Sequence, residues 1–433
     1  MLSRVRPGSL DVSMKKLTPT LGLLVVVCSL APVRASADVK PGDKINAAKV
    51  AEIKDLVSPG IEWLVQHGMP ITVVETKPIE LPKRYREATE KYSGQVKLSP
   101  DGRRIEGWVA GLPFPKIDPS DPQAAQKIMW NFDRKPLITD DIDIRNFDAD
   151  VGTIESDREM GVERHYLLDH LRRLLYVGRL FVDPKPEMPS KDGVQYRQSL
   201  HPILEPFDLK GVGVTSYRYI DPDKQDDSWL YLPSLRRVRR LSAAQRSDAL
   251  FGQDSDLDSY YGYDGHPAWM EWKLIGEKEV LGVVHAENYP VKWAEGKGSF
   301  AFDDVWEKRK VWVIEGVSKF PQYAYAKRVI YVDKEAWVVL YSDIYDRAGT
   351  LWKVWVNDYS FRKQTPVGKV QYEDEMGFGP AILMIDVQGS HATKAALPSP
   401  RFPGEEGTYF NQGEKSGTTE QFFTIAALIE SAR

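Results

Sequence analysis

Residues 326–356, AKRVIYVDKEAWVVLYSDIYDRAGTLWKVWV, decide the fold class. Three runs rich in Val, Ile, Tyr and Trp (326–332, 336–344 and 351–356) are separated by the short polar stretches 333–335 and 346–349. These residue types fit a pleated, half-buried surface, and connections this short join antiparallel neighbours. The stretch therefore predicts an antiparallel meander rather than alternating strands and helices.

The same two-residue alternation extends to both sides of this stretch. Further strands are predicted at 212–220, 228–232, 269–275 and 311–317. The fold class predicted for the chain is mainly β with a few helices, as a curved antiparallel sheet or half-open barrel closed by helices. Residues 209–433 form the β meander, and residues 38–208 form a mixed part of helices and short strands that is continuous with it as one large domain.

Helices are predicted mainly in that mixed part. Ser58-Pro59 supplies an N-cap and a first-turn proline for a helix over 61–66. Residues 120–122 open a second helix that runs through Trp130, and residues 45–57 suit a short amphipathic helix. Residues 162–180 have apolar residues at three-four spacing, which fits an amphipathic helix or, equally, a pair of strands.

The N-terminus has the pattern of a cleaved export signal. Lys15 and Lys16 precede an apolar run over 21–31, and Ala35-Ser36-Ala37 supplies an A-x-A cleavage site. We expect residues 1–37 to be a signal peptide, with Met14 as a second candidate start. The only cysteine, Cys28, lies inside it and follows Val27, whereas a lipoprotein signal places a small residue before the modified cysteine.

The rest of the chain offers little that points to catalysis or to nucleic acid. A net charge of −4 without a basic tail argues against nucleic acid as a partner. The sequence has no G-x-S-x-G, H-E-x-x-H or Walker motif, and its 7 histidines are scattered. We therefore expect no enzyme activity, no cofactor and no metal centre.

A run of alternating aspartates suggests a candidate cation loop. Asp254, Asp256 and Asp258 offer hard oxygen ligands, but an EF-hand would need Gly and Glu where Ser259 and Gly265 stand. A looser cation loop and a solvated acidic loop remain the two interpretations. The acids over 140–150 are expected to form a solvated loop as well.

The densest basic cluster follows a predicted strand and is the candidate ligand-binding site. Strand alternation places Arg237 and Arg239 on one face and Arg236 and Arg240 on the other. Guanidinium groups this close repel each other unless carboxylates or an anionic ligand compensate. Internal pairing with the acids over 254–258 is one interpretation, and an anionic lipid head group or an acidic partner is the other. The full candidate set is Trp229, Tyr231, Arg236, Arg237, Arg239 and Arg240.

Tryptophan is unusually frequent, with 12 residues in the chain. Five of them fall in or beside predicted strands: Trp306, Trp312, Trp337, Trp352 and Trp355. They fit either the sheet core or the lining of a cavity for an acyl or polycyclic ligand, since such sites are concave and mostly apolar.

Several motifs resemble the bacterial domain-of-unknown-function family numbered thirteen twenty-nine. They are the stretches 110–115 (AGLPFP), 118–122 (DPSDP), 127–131 (KIMWN), 229–240 (WLYLPSLRRVRR) and 272–278 (WKLIGEK). Residues 229–240 and 328–349 are also similar, more weakly, to the Lol-type periplasmic lipoprotein carriers. This resemblance implies a half-open barrel with a helical lid around a hydrophobic cavity, in the Gram-negative periplasm, in the company of a resistance-nodulation-division type lipid exporter.

The predicted function is a periplasmic carrier or accessory protein for an apolar ligand, either a lipid or an acylated protein. Contact with a membrane surface is expected to be peripheral, without a span after signal cleavage. One alternative is an adaptor that docks to the exporter and holds no cargo. The second is an envelope hydrolase that uses an aspartate pair such as Asp254 and Asp256.

Overall fold

Strands dominate the computed structural model, which describes residues 39–137, 140–242 and 245–432. The strands within these ranges are β1 (Lys44–Ile45), β2 (Ile71–Val73), β3 (Lys97–Leu98), β4 (Ile105–Glu106), β5 (Asp141–Thr153), β6 (Gly161–Leu175), β7 (Val194–Leu200), β8 (Ile203–Glu205), β9 (Gly213–Tyr219), β10 (Asp227–Leu232), β11 (Arg237–Arg240), β12 (Met270–Gly282), β13 (Val305–Ser318), β14 (Lys327–Asp333), β15 (Val339–Tyr345), β16 (Leu351–Arg362), β17 (Met376–Asp386), β18 (His391–Ala396) and β19 (Thr408–Phe410). The α-helices are α1 (Pro59–Gln66), α2 (Lys83–Tyr92), α3 (Ala124–Asp133) and α4 (Ile425–Glu430).

One large sheet contains all the described strands except the β3–β4 pair. Its antiparallel neighbours follow the order β12, β13, β14, β15, β16, β17, β18, β5, β6, β7, β9, β10, β11. β8 pairs with β6, β19 pairs with β5, and β2 adds a short parallel contact to β13. The predicted meander is thus confirmed, and β18 joins it to strands from the N-terminal part.

The sheet is curved and does not close into a barrel. Its end strands, β11 and β12, do not pair with each other over the residues that the structure describes. The predicted fold class, mainly β with a few helices around a curved antiparallel sheet, is confirmed. An open sheet of this size must cover its apolar faces with other segments.

Both faces of the central strands are buried, as β16 illustrates. Alternation places Val354 and Val356 in one hydrophobic core and Trp355 in another on the opposite face. α1 packs into the first core and α3 into the second. Four of the five tryptophans considered above, Trp306, Trp312, Trp337 and Trp355, are buried core residues.

A buried carboxylate fixes α1 on the sheet. Asp343 of β15 accepts hydrogen bonds from the hydroxyl of Ser58 (2.8 Å) and from the backbone N–H of Gly60 (3.1 Å). Ser58 also caps the helix, because its oxygen accepts from the backbone N–H of Ile61. A Cβ atom on Gly60 would lie 2.3 Å from the Asp343 carboxylate, so only glycine permits this approach. The predicted N-cap and helix are confirmed.

Two other segments in the N-terminal part do not form α-helices. Residues 162–180, for which a helix and a pair of strands were the two predicted alternatives, contain β6. This strand pairs with β5 over most of its length and with β7 over Leu171–Leu175. The helix predicted over 45–57 is wrong, because Ile45 belongs to β1 and Val50–Leu56 forms a 3-10 helix. Buried Val50, Ile53 and Leu56 recur every three residues, which matches the three-residue turn of a 3-10 helix.

The solvated acidic loop expected over 140–150 is also wrong. These residues form β5, and Asp141 and Asp143 are fully buried there. Asp143 bonds to Arg172 and Arg145, and it contacts the ring of His170 at 2.8 Å. Partners that are remote in sequence satisfy these acids, which is how buried charges are tolerated.

The predicted signal peptide, including Cys28 and Met14, lies outside the described residues. Within them, none of the helices has the length and apolar character needed to cross a membrane.

The Asp343 contact predicts a pH-dependent contribution to stability. Burial raises the pKa of Asp343 to about 7, so folding takes up a proton between the ordinary aspartate pKa and that value. The free energy of unfolding of the wild type should therefore fall, relative to Asp343→Asn, as the pH rises from 4 to 7. Urea unfolding at a series of pH values measures this difference.

The exposed Asp192→Asn variant is the matched control. A stability difference between the wild type and Asp343→Asn that stays constant from pH 4 to 7 would contradict the raised pKa.

Candidate functional site: an apolar cavity and its basic rim

An apolar cavity of about 290 Å³ lies against one face of the sheet near its β11 edge. Strands β5 to β10 supply an apolar wall. Its side chains include Phe147, Tyr166, Leu167, Leu168, Leu200, Ile203, Val212, Val214 and Leu230. A cavity of this kind, concave and lined by aliphatic and aromatic groups, is the usual form of a site for an apolar ligand.

The opposite wall is formed by residues 241–242 and 245–264, which lie between β11 and β12 in the chain and are called here the covering segment. It supplies four polar residues to the lining, Ser242, Gln245, Asp248 and Gln253, and six apolar or aromatic ones, Leu241, Ala249, Leu250, Phe251, Leu257 and Tyr260. Ala249 also lines the cavity and is exposed, so the cavity reaches solvent at this position. From residue 245 to 264 the backbone forms turns and short 3-10 segments.

Buried charges hold the covering segment on the sheet. The guanidinium of Arg246 donates to Asp258 (2.5 Å) and to Asp226 (2.6 Å), and Asp226 also accepts two hydrogen bonds from Arg218 of β9. All four side chains are at most 8% exposed. The charges are mutually paired and hydrogen bonded, which is the condition for burying them.

The aspartates of the predicted cation loop belong to this covering segment and have protein partners. Asp254 accepts from Thr393 and contacts the ring of His391 at 2.8 Å. Asp256 accepts from Tyr325 (2.6 Å). Burial raises the pKa of both Asp254 and Asp256.

Asp258 completes this set through its bond to Arg246. The three carboxylates are thus distributed among separate partners. No group of three or more potential metal ligands (His, Cys, Asp or Glu) comes together within the described ranges of the chain.

The basic cluster forms one arm of a hairpin at the edge of the sheet. Arg239 of β11 is directly opposite Leu230 of β10, and Leu230 lines the cavity. Directly opposed residues project from the same face of an antiparallel pair, so Arg239 and Arg237 lie on the cavity side. Both are exposed, and neither has an ion-pair partner among the residues that the structure describes.

The other four predicted ligand-binding residues lie on the opposite face of the hairpin or in its turn. Trp229 and Tyr231 project from the opposite face of β10. Tyr231 is directly opposite Gly213 of β9, and the face of Gly213 that a side chain would occupy lies against Leu428 of α4. Arg240 also projects from that face and forms an ion pair with Asp227. Arg236 occupies the turn between the strands, with a left-handed backbone (φ 48°). Of the six residues, the structure places Arg237 and Arg239 on the cavity side.

Sequence reasoning missed two exposed apolar side chains close to this hairpin. Phe207 is 90% exposed and Leu235 is 49% exposed. Phe207 lies in the turn that ends at Gly211, and Leu235 lies in the turn that begins at Pro233. These two turns are adjacent, because a Cβ atom on Gly211 would lie 3.1 Å from Pro233. The available signal was an isolated large apolar residue within each polar turn.

Comparison with known proteins gives a family match. Residues 44–428 match the model of a family described as "Protein of unknown function (DUF1329)". An uncharacterized protein of Pseudomonas aeruginosa is 26% identical over 332 residues, which represent 73% of this chain and 69% of the relative.

Two solved structures are also similar. A DUF1329 family protein from Desulfovibrio piger is 14% identical, with 67% of this chain and 92% of that chain covered and a TM-score of 0.44. A LolA superfamily protein from Nitrosomonas europaea is 12% identical, with 70% of this chain and 98% of that chain covered and a TM-score of 0.39.

The ion pairs of Arg246 predict a large effect on stability. Arg246→Ala leaves Asp226 and Asp258 buried without their shared partner, and breaking a buried pair costs about 3–5 kcal/mol. We expect a loss of this size in the free energy of unfolding, measured by urea titration.

Arg240→Ala is the matched control, since it removes an exposed partner of Asp227 and should cost at most about 1 kcal/mol. Equal losses for the two variants would show that Arg246 does not anchor the covering segment.

Proposed function

The chain belongs to the DUF1329 family, as its motifs predicted, and we propose that it is a carrier or accessory protein that shelters an apolar ligand in the cavity under the covering segment. The ligand is a lipid or the acyl part of a modified protein. The observation that carries the proposal is the unfilled apolar cavity of about 290 Å³.

Partition into the cavity would supply the binding energy. Each methylene that moves from water to an apolar wall contributes about 0.8 kcal/mol. Both walls supply Leu, Phe and Tyr side chains, and the covering segment adds the exposed polar residues Ser242, Gln245 and Asp248. An acyl chain with a polar end matches an apolar interior with polar groups at the solvent side.

The two alternatives fit the structure less well than the carrier does. An adaptor without cargo needs no cavity, and its own side chains would fill the space. A hydrolase using Asp254 and Asp256 needs both carboxylates in one cleft, yet Asp254 faces His391 and Asp256 faces Tyr325. Neither aspartate lines the apolar cavity. These contacts favour the carrier over both alternatives.

The place of action that we propose is the periplasm, after cleavage of residues 1–37. The charged, apolar and A-x-A segments of the N-terminus support export. A membrane lipid exporter of the resistance-nodulation-division type is the proposed partner, on the basis of the predicted family resemblance.

Binding of a fluorescent fatty acid tests the proposal. Ala249→Trp and Val214→Trp each place an indole in the cavity, from the covering segment and from β9 respectively. The indole would displace two or three methylenes of the bound acyl chain from the cavity, which costs about 2 kcal/mol of binding free energy. Each variant should therefore bind the probe roughly 30-fold more weakly than wild type. Fluorescence titration gives the dissociation constants.

Val317→Trp is the control, since it adds the same side chain at an exposed position of β13. The carrier proposal fails if the wild type does not bind the probe, or if Val317→Trp weakens binding as much as the cavity variants.

The rim of the cavity predicts contact with an anionic membrane surface. Arg237 and Arg239 lie on the cavity side, and the exposed Phe207 and Leu235 lie on adjacent turns. Each basic residue near an anionic membrane surface contributes about 1 kcal/mol. Replacing Arg237 and Arg239 by Gln should therefore weaken binding to anionic phospholipid vesicles roughly 30-fold in a sedimentation assay.

The matched control is the double variant Lys273→Gln and Lys310→Gln, which removes two exposed charges from β12 and β13. Equal binding of the wild type to anionic and zwitterionic vesicles would exclude this role for the rim. If the variant with Gln at positions 237 and 239 loses vesicle binding but still binds the fluorescent fatty acid as wild type does, the arginines act in membrane contact and not in ligand binding.

A further inference from the structure

A second, smaller cavity lies beside the C-terminal end of α3. Its volume is about 40 Å³, enough for a few water molecules or one small oxyanion. Residues from α3, β6, β7 and the 263–267 loop line it, and none of its lining residues also lines the larger cavity. Its walls contain three cationic side chains: Arg134, Lys135 and Arg173.

Arg134 is buried, and its Nε has no hydrogen-bond partner within the described residues. The side chain lies over the ring of Trp108, with 4.4 Å between its Cζ and the ring centre. The carboxylate of Asp133 is 3.4 Å from Nε, and Nε has no hydrogen-bond partner among the residues that the structure describes. Arg134 is only 9% exposed, so leaving this donor without a partner is costly.

Lys135 is in a similar position. It is 7% exposed, and its ammonium donates one long hydrogen bond, 3.4 Å, to the carbonyl oxygen of Phe132. The rings of Phe132 and Tyr261 occupy two other sides of the ammonium. Burial lowers the pKa of Lys135 to about 8, which indicates that the protein alone stabilises this charge poorly.

The charges around the cavity do not balance. Arg134, Lys135 and Arg173 face two carboxylates, Asp133 and Asp264; Arg173 is ion-paired with Asp264 at 2.7 Å, and Lys135 interacts with both carboxylates. The lining therefore carries one excess positive charge in a buried setting. Burying a cation without a compensating anion is costly, so an anion in the cavity would stabilise the protein.

The lining also has an unpaired acceptor. The amide nitrogen of Gln195 donates to Asp133 (3.1 Å), which fixes the orientation of the amide because a carboxylate cannot donate. The amide oxygen of Gln195 has no hydrogen-bond partner among the described residues. Two cationic donors and one acceptor together match an oxyanion that also carries a hydroxyl.

We propose that this cavity is a binding site for a phosphate group, held by Arg134 and Lys135, with Gln195 accepting from a protonated phosphate oxygen. Arginine and lysine are the side chains that proteins use for phosphate. The site is separate from the proposed acyl cavity, so either proposal can fail without the other. Inorganic phosphate and the phosphate of a monoester offer the same chemistry.

Calorimetric titration of inorganic phosphate into the protein purified from the periplasm tests the proposal. Wild type should bind phosphate saturably at one site per chain. Arg134→Met and Lys135→Met each remove one charged donor, so the affinity should fall at least about tenfold. Methionine is chosen because it is close in length to both side chains, and each single variant leaves Asp133 with the other cation as a charge partner.

The control is Lys273→Met, at an exposed position on β12, which should bind as wild type does. Glycerol phosphate is titrated in parallel. Comparable affinity indicates a site for phosphate monoesters, and binding of inorganic phosphate alone indicates a site for the free ion. Absence of saturable binding to wild type, or affinity unchanged in folded Arg134→Met and Lys135→Met, would overturn the proposal.

Discussion

The buried guanidinium of Arg246 is the contact on which the cavity depends. It joins Asp258 of the covering segment to Asp226, which Arg218 of β9 holds in turn. Through these bonds the covering segment stays over the apolar face of β5 to β10. Without this cover the same leucines and valines would be exposed to water, at a cost of roughly 25 cal/mol for each Å² of apolar surface.

An open sheet makes such a cover necessary. Because β11 and β12 do not pair within the described part of the chain, the sheet does not bury its interior by closing on itself as a barrel does. α1 and α3 fill two cores against the central strands, whereas the β5 to β10 region meets an irregular segment with polar groups. The cavity of about 290 Å³ that the carrier proposal uses lies between this wall and the segment.

The sequence predicted the parts that depend on local pattern. Alternation over 326–356 predicted the meander, and Ser58 predicted the N-cap of α1. Alternation within β11 predicted that Arg237 and Arg239 share one face. It failed where burial depends on distant partners: Asp143 is buried because Arg172 and His170 meet it across strands. The covering segment has no periodicity, so its position over the cavity depends on long-range ion pairs that the sequence alone does not reveal.

The most direct test of the central claim is native mass spectrometry of the protein purified gently from the periplasm, followed by organic extraction and lipid analysis. The carrier account predicts a stoichiometric mass increment that extraction removes and that lipid analysis identifies as an acyl-containing molecule. It also predicts that the increment is depleted in Ala249→Trp and retained in Val317→Trp. A clean apo mass for the wild type under every gentle condition would contradict the account and favour the adaptor.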